Sequence, residues 1–547
     1  VNFKEQESAT KLRGGYYTPL PIARFLSKWV LRTRPHNILE PSCGDGVFVE
    51  AFYNLHDYEL NFTGVELIKE EADKARQAVS EKNLIHGTII NDNFLSWALK
   101  ESVAGVTYDG LIGNPPYIRY QYLEEKDQQL AAEWFSRYGL AFTKHTNAWV
   151  PFVIASVGLL APGGRLAMVI PSELLHVLHA TSLRKFLLDQ CNRILMIDPT
   201  ELLFEEALQG TVLLMVEKKQ IASSSSQGVS VVSAVNNDFL LQDPEQFFQN
   251  ATYVAGDILN GKWMKVLLDP EELEVFEKVR RLPSVRKFKD IANVDVGIVT
   301  GANKFFLVDD ETVTKYRLEQ YVHPMFGRSE HCPGIVYDDA VHQSNKIRGL
   351  PANFVMFGNT PIEKLSATAQ EYIRLGEEQS LHTRYKCRIR SPWYAVPSVY
   401  STSIGMLKRS HWYPRLILNT AGAYTTDTAY RIEPTVQGIS PELLVFSFVN
   451  SLTALTAELE GRHYGGGVLE LVPSEIEKLL IPVSDKLVFD IRELDEKVKS
   501  GQDVDSLLAE QDTIVLKAAG FSSYECEIIH EAWRRIRTRR HRLIVEN

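Results

Sequence analysis

Asn114-Pro115-Pro116-Tyr117 follows directly on the apolar run Tyr108 to Gly113. Two adjacent prolines cannot continue a strand's hydrogen-bonded ladder, so the chain turns there and presents an amide, a carbonyl and an aromatic ring. These groups suit methyl transfer to an exocyclic amine. The Asn114 side-chain oxygen and the Pro115 carbonyl are two acceptors that could hold the two hydrogens of such an amine and pull its nitrogen toward a nucleophilic geometry. Tyr117 would stack on the base, with Pro116 completing the turn. A base cannot be reached inside a duplex, so it has to be flipped out into the pocket.

A second constellation lies upstream. The apolar strand ending at Glu40-Pro41 runs into a loop with Cys43, Gly44 and Gly46, then into a helical pattern with apolar residues at Val47, Phe48, Ala51 and Phe52. Glycines at a helix N-terminus let the backbone approach a ligand closely. The spacing is not that of a dinucleotide-binding GxGxxG, and there is no Lys-Ser/Thr of a P-loop, which disfavours NAD and ATP. The next strand, Phe62 to Val65, ends in Glu66 followed by Leu67, and an acid at that place can take both hydroxyls of a ribose. A third strand around Thr88 to Asn91 leads to Asp92-Asn93-Phe94. There a polar side chain could bond an adenine edge and Phe94 could cover its face.

These sites need a frame that collects strand ends. Strands alternating with helices up to about residue 220 predict an α/β, Rossmann-like parallel doubly wound sheet, with Arg165 to Ile170 as fifth strand and the segments 193–198 and 210–216 closing it as a hairpin-like pair. The Ser223 to Gly228 stretch suggests a flexible boundary. Beyond it the runs shorten and Gly, Pro, Trp and Tyr increase, predicting a mixed, strand-rich domain. From about Val483 the chain turns helical and highly charged, with six arginines between Arg534 and Arg542 that could lie along DNA or pack on an acidic partner. The expected organisation is a catalytic domain over 1–240, a recognition domain over 241–484 and a helical extension over 485–547.

Composition agrees with several cores: 547 residues, 45% of them hydrophobic. No apolar run approaches the length that spans a bilayer, and the polar opening Val1 to Glu7 has no signal-peptide pattern. Five cysteines without CxxC pairing predict a reducing compartment and no metal site. The net charge of −10 does not exclude a polyanion partner, because charge distribution matters more than the total. Cations interleave with aromatics at Arg384, Lys386, Arg388, Arg390, Trp393 and again at Lys408, Arg409, Trp412. Such stretches fix register on phosphates and contact bases. Glycine-containing turns at Val296 to Phe306 and Arg462 to Pro473 add Lys304, Arg462 and Tyr464 as candidate DNA contacts.

In motif content and order the chain resembles the gamma class of DNA adenine-N6 methyltransferases of restriction-modification type. The resemblance rests on Gly15-Tyr16-Tyr17-Thr18-Pro19, the Glu40 to Gly46 loop, Glu66, Asn93-Phe94, Asn114 to Tyr117 and a long region after them. It implies S-adenosylmethionine as cofactor, with no metal, held by Thr18, Glu40, Pro41, Cys43, Gly44, Gly46, Glu66, Leu67, Asn93 and Phe94 and bordered by Asn114. It also implies double-stranded DNA as substrate, an aromatic at Phe204 opposite Tyr117 on the flipped base, a further motif residue at Asn147, a cytoplasmic setting in a bacterium or archaeon, and a separate cognate endonuclease as possible partner. The family usually carries Asp directly before the Phe of its third motif, where this chain has Asn93. Asp92 lies one residue earlier and on the opposite strand face, so Asn93 is the expected adenine contact. Cytosine-N4 methylation and protein-glutamine methylation are the alternatives with similar geometry. A DNA-binding specificity subunit without catalysis conflicts with the full set of cofactor motifs.

Overall fold

The computed structural model describes residues 17–81, 85–199, 210–234, 236–259, 261–464 and 466–541. The chain divides into two compact units, residues 1–267 together with 542–547, and residues 268–541.

The first unit is built on one eight-stranded sheet. Its strands are β1 (Asn37–Glu40), β2 (Leu60–Glu66), β3 (Ile85–Asn91), β4 (Tyr108–Gly113), β5 (Leu160–Pro171), β6 (Cys191–Pro199), β7 (Thr211–Lys218) and β8 (Gly228–Ala234), in the order 3-2-1-4-5-7-6-8. The first five run parallel, and β7 lies antiparallel between β5 and β6. Helices α1 (Leu20–Leu31), α2 (Val47–Phe52), α3 (Lys69–Ser80), α4 (Phe94–Ala104), α5 (Glu125–Arg137), α6 (Trp149–Leu159) and α7 (Thr181–Gln190) connect and cover it. The central strands are continuous apolar runs because both faces are covered: Leu166 to Ile170 of β5 and Val212 to Val216 of β7 are all buried.

The strand order sets the position of the site. The chain winds outward from β1 to β3, then returns to place β4 on the other side of β1, pairing Ile38 with Gly110 and Leu39 with Leu111. The crevice beyond the carboxyl ends of β1 and β4 is the switch point at which such sheets hold ligands. The expected α/β, Rossmann-like sheet is thus present, including the antiparallel β6–β7 pair.

The first compact unit ends at Leu267, and the Ser223 to Gly228 stretch is the ordered turn from β7 into β8, with Ser226 Oγ donating to the Asn192 carbonyl at 3.0 Å. The unit extends past residue 240 because β8 adds a strand beside β6, while Phe239 and Phe248 enter the same core as Phe25 and Trp29. Arg165 bolts this segment down, donating to the Trp29 carbonyl at 2.9 Å and holding Glu245 with both arms at 2.7 and 3.0 Å.

The second unit is strand-rich and then helical. One sheet has five short strands in the order Ala292–Val296, Ala429–Pro434, Ile404–Leu407, Leu416–Asn419, Val336–Tyr337; another joins Leu307–Val308, Asn353–Val355, Val322–Phe326 and Tyr424–Thr425. A small sheet pairs Arg409–Ser410, Val468–Glu470 and Arg462–Tyr464. Gly297 leaves the first of these sheets where a Cβ would fall on the carbonyl oxygens of Thr426 and Ala429. Gly297→Ala is expected to destabilise this unit by about 1–3 kcal/mol, seen as a lower urea midpoint. An unchanged midpoint would contradict the close packing.

The helices Ile491–Lys499, Val504–Ala518 and Ser523–His541 belong to this unit and do not form a separate body. The arginines of the last helix are partnered within the chain. Arg534 meets Glu531 at 2.9 Å, Arg535 donates through Nε to Glu272 at 3.2 Å, Arg537 bonds Asp505 and lies 4.5 Å over the Trp533 ring, and Arg540 is buried against Glu458 at 2.7 Å. Arg535, Arg537 and Arg540 are thus tied to acids far away in sequence, while Arg534 meets an acid one turn earlier on its own helix. Among the described residues no single helix is long and apolar enough to cross a membrane.

Candidate active site

The loop after β1 and the turn after β4 meet at the switch point. Ser42 Oγ donates to the Asn114 carbonyl at 2.9 Å, and a Cβ on Gly113 would lie only 3.3 Å from Pro41. The loop itself is shaped by two glycines in the left-handed region, Gly44 (φ 51°) and Gly46 (φ 91°), the second capping α2.

Glu40 ends β1 pointing inward and is 1% exposed. Its Oε2 has no hydrogen-bond partner among the described residues. Burial, reinforced by the neighbouring Glu66 and Asp45 carboxylates, pushes its pKa well above the ordinary range. Glu66, at the end of β2, accepts from the Gly44 amide at 2.9 Å on one oxygen and from the Ile68 amide at 2.8 Å on the other. Two amides hold the carboxylate at the crevice and leave it acceptor capacity for hydroxyl donors. Leu67, 66% exposed, forms an apolar rim beside Ile68. Thr18 is buried, and the Tyr17 ring edge lies 4.0 Å from where a Cβ on Gly44 would stand. Cys43 is buried with its thiol pushed up by burial, and its sulfur occupies the space that a side chain at Gly64 would need.

The third motif is arranged differently from the expectation. Asn93 caps α4, its side-chain oxygen accepting from the Ser96 amide at 3.3 Å while its nitrogen donates to Asp127 at 2.8 Å. That oxygen gives one lone pair to the helix and keeps the second. Asp92 caps the Asn93 amide at 2.7 Å and faces Lys100 at 3.6 Å. Phe94, 3% exposed, packs on Phe152 at 5.1 Å between ring centroids. Asp127 and Ser42 were not foreseen: one is reached only through the fold, while the other lies inside the glycine loop as an ordinary-looking serine.

On the opposite wall Pro115 is buried, and Pro116 and Tyr117 are half-buried. Tyr117 donates its hydroxyl to the Val169 carbonyl of β5 at 2.9 Å, fixing the ring plane. Asn147 lies next door, 3.4 Å from Glu173, and the following Ala148 amide donates to the Ile118 carbonyl at 2.9 Å. Gly15, Tyr16 and Phe204 lie outside the described residues. No group of three or more metal-ligating side chains occurs among the described residues.

The candidate DNA contacts of the second unit separate into two groups. Arg390 places both arms on the carbonyls of Thr300 and Val299 at 2.7 Å, Arg462 donates to the buried Glu475 at 3.0 Å, and Lys408 and Arg409 both meet Glu470. Lys304, Arg384, Lys386 and Arg388 are exposed and have no carboxylate within ion-pair distance among the described residues. The last two lie over Tyr385, itself 62% exposed. Tyr464 is also exposed, at the end of its strand.

Comparison with known proteins places this geometry. A family described as N-6 DNA Methylase matches residues 3–251, and one described as the C-terminal domain of the type II methyltransferase M.Eco57I matches 260–516. The type II methyltransferase M.AccI of Acinetobacter calcoaceticus is 22% identical over 478 residues, 85% of this chain and 84% of the relative. M.XamI of Xanthomonas campestris pv. amaranthicola is 23% identical over 499 residues, 87% and 86% of the two chains. Among solved structures, the type IIL restriction-modification enzyme MmeI in complex with DNA shares the fold with a TM-score of 0.56 at 11% identity, over 95% of this chain and 75% of that one. With an N-6 DNA methylase match over its first unit and a type II methyltransferase match over most of its second, the chain is similar along nearly its whole length to type II, N-6 DNA methyltransferases.

Proposed function

We infer that this enzyme moves a methyl group from S-adenosylmethionine to the N6 amine of an adenine flipped out of double-stranded DNA. The observation that carries the reading is the 2.9 Å bond from Ser42, in the loop after β1, to Asn114, in the turn after β4. It puts a nucleoside-type cradle and an amine-orienting turn side by side in one crevice.

The chain's groups fit such a cofactor. Glu66 suits the ribose hydroxyls, the Leu67–Ile68 rim suits a flat apolar ring, and the buried oxygen of Glu40, without a partner among the described residues, suits an ammonium group. When bound, S-adenosylmethionine supplies an electrophilic methyl on a sulfonium. The protein's part is to orient the nucleophile: Asn114 and the Pro115 carbonyl accept the amine hydrogens, Tyr117 stacks on the ring, and rate arises from positioning and fixed dipoles. Phe204 is proposed as the opposing aromatic. Asn93 is proposed as a cofactor neighbour through its backbone and the helix it caps.

In the second unit Lys304, Arg384, Lys386 and Arg388 are proposed to meet phosphates, with Tyr385 and Tyr464 beside them. Arg390, Arg462, Lys408 and Arg409 shape the surface through their internal partners. The enzyme is read as the modification component of a restriction-modification system, acting in the cytoplasm on cellular DNA alongside a separate endonuclease.

Glu40 carries a pH signature. In the unfolded chain its carboxyl ionises near the usual glutamate value of about 4.3, whereas the folded chain holds the proton to higher pH. The folded state therefore binds more protons above that value, and stability falls as pH rises through this window. Glu40→Gln is expected to raise the stability of the cofactor-free protein at pH 8 more than at pH 5. It should also weaken cofactor binding by about 10- to 100-fold, measured by calorimetry. Equal stabilisation at both pH values would remove the assignment.

The direct test is expression in a host lacking the modification, followed by digestion of its DNA to nucleosides and sequencing with detection of modified bases. N6-methyladenine at one short sequence is the expected product. N4-methylcytosine would overturn the base assignment, and unmodified DNA would overturn the reading.

A further inference from the structure

We propose that Arg119, with Lys144 on the neighbouring loop, grips the target-strand phosphates that flank the everted nucleotide, so that the lip of the catalytic pocket itself holds the DNA backbone. The inference rests on the reading that the Asn114 to Tyr117 turn receives a base from duplex DNA.

Arg119 is two residues on from Tyr117, and its backbone is extended (φ −70°, ψ 144°). Two extended residues carry the chain about 7 Å, from the stacking ring to the rim. The backbone is fixed on both sides. Upstream, Tyr117 is tied to Val169 and the Ile118 carbonyl accepts the Ala148 amide at 2.9 Å. Downstream, the Tyr122 amide closes a turn on the Arg119 carbonyl at 2.9 Å, and Tyr120 donates to Gln128 of α5 at 2.7 Å, while Gln128 donates back to the Leu123 carbonyl. The Ala148–Ile118 bond also brings alongside the loop that carries Lys144 and His145, all three basic residues being exposed.

A firmly held backbone whose cationic side chain has no acidic partner among the described residues is poised for a ligand outside the chain. Arg119 and Lys144 have no carboxylate within ion-pair distance among the described residues. Elsewhere in the same unit, Arg165 and Arg193 are committed to Glu245 and Glu217. Flipping rotates a nucleotide about its backbone, so the base enters the pocket while sugar and phosphates stay at its mouth. A phosphate there meets the forked donor set of an arginine, with a lysine as a second point charge. Contacts made to the everted backbone offset the unstacking cost of eversion, giving Arg119 a positioning role in the transfer without contact to the reacting atoms.

The test uses the full chain and duplexes carrying the modified sequence found by DNA sequencing. Arg119→Ala is expected to weaken DNA binding by about tenfold or more and to make the slope of log affinity against log salt shallower by about 0.9. It should lower the fluorescence of 2-aminopurine placed at the target, and bind cofactor as the unaltered chain does. Arg119→Lys should recover most of the salt slope. A methylphosphonate at the flanking phosphates should weaken the unaltered chain by at least the same factor and weaken Arg119→Ala, which keeps only the Lys144 charge there, by much less. An Arg119→Ala chain with unchanged affinity and slope, or one as sensitive to the methylphosphonate as the unaltered chain, would overturn the proposal. Absence of N6-methyladenine in DNA treated with the unaltered chain would instead remove the reading beneath it.

Discussion

Asn114→Ala is expected to lower the single-turnover rate of methyl transfer by about 10³-fold while leaving cofactor affinity within about a factor of two. The asymmetry follows from how Asn114 is held. Its backbone carbonyl takes the Ser42 hydroxyl, a bond that alanine keeps, so the turn and the adjoining glycine loop stay in place. What alanine removes is the side-chain acceptor for the amine, an interaction needed most where the nitrogen becomes nucleophilic. Tyr117→Ala should act differently, weakening base binding more than the chemical step at saturating DNA. Rapid-quench kinetics with calorimetry separate the two variants. An Asn114→Ala enzyme that turns over normally would end the assigned chemistry.

Glu458→Gln has the largest expected effect on stability. Both Glu458 and Arg540 are fully buried, joined at 2.7 and 2.9 Å, and His463 approaches the same carboxylate at 3.1 Å. Burial alone would raise the Glu458 pKa, but Arg540 and His463 outweigh it and bring it down to about 2. Neutralising the acid leaves a guanidinium buried without its counter-charge, at a cost of about 3–5 kcal/mol. Because the folded pKa is depressed, the carboxylate's contribution is complete above about pH 4.3 and fades as pH falls toward 2. The stability gap between Glu458→Gln and the unaltered chain should therefore close in acid. Denaturant titrations at pH 7 and pH 3 check this, and a gap independent of pH would contradict it. A double replacement of Glu458 and Arg540 by apolar residues of similar size should lie nearer the unaltered chain than either single one.

The parts of the site legible in the sequence are those with strong local constraints. Two prolines after an apolar strand force the Asn114 turn, and glycines at 44 and 46 mark a loop that needs left-handed backbone. Strand-end acids were readable for the same reason: β1 and β2 are short apolar runs whose ends are sharply marked. The capping part played by Asn93 was not readable, because the α4 amide and Asp127 that it bonds are brought to it only by the fold. The partners of the arginines were hidden for a related reason. A sequence displays a cation without its counter-ion, and Glu272, Glu458 and Glu475 reach Arg535, Arg540 and Arg462 only through the tertiary fold. Polar Ser223 to Gln227 looks like a linker in the sequence, while the short strand behind it is recognisable only by its pairing with β6.

The last helix also has a consequence for biosynthesis. The opening helix of the second unit, Pro270–Val279, is held by the closing one: Glu272 by Arg535, and Lys278 by Glu525 at 2.9 Å. Residues that emerge from the ribosome early in this unit must wait for those that emerge last, whereas all eight strands of the first unit's sheet have been made by residue 234. The nascent chain can complete its catalytic sheet while the remaining half is still a partially made, protease-sensitive segment, and a premature stop shortly before residue 541 would strand that half without its clasp.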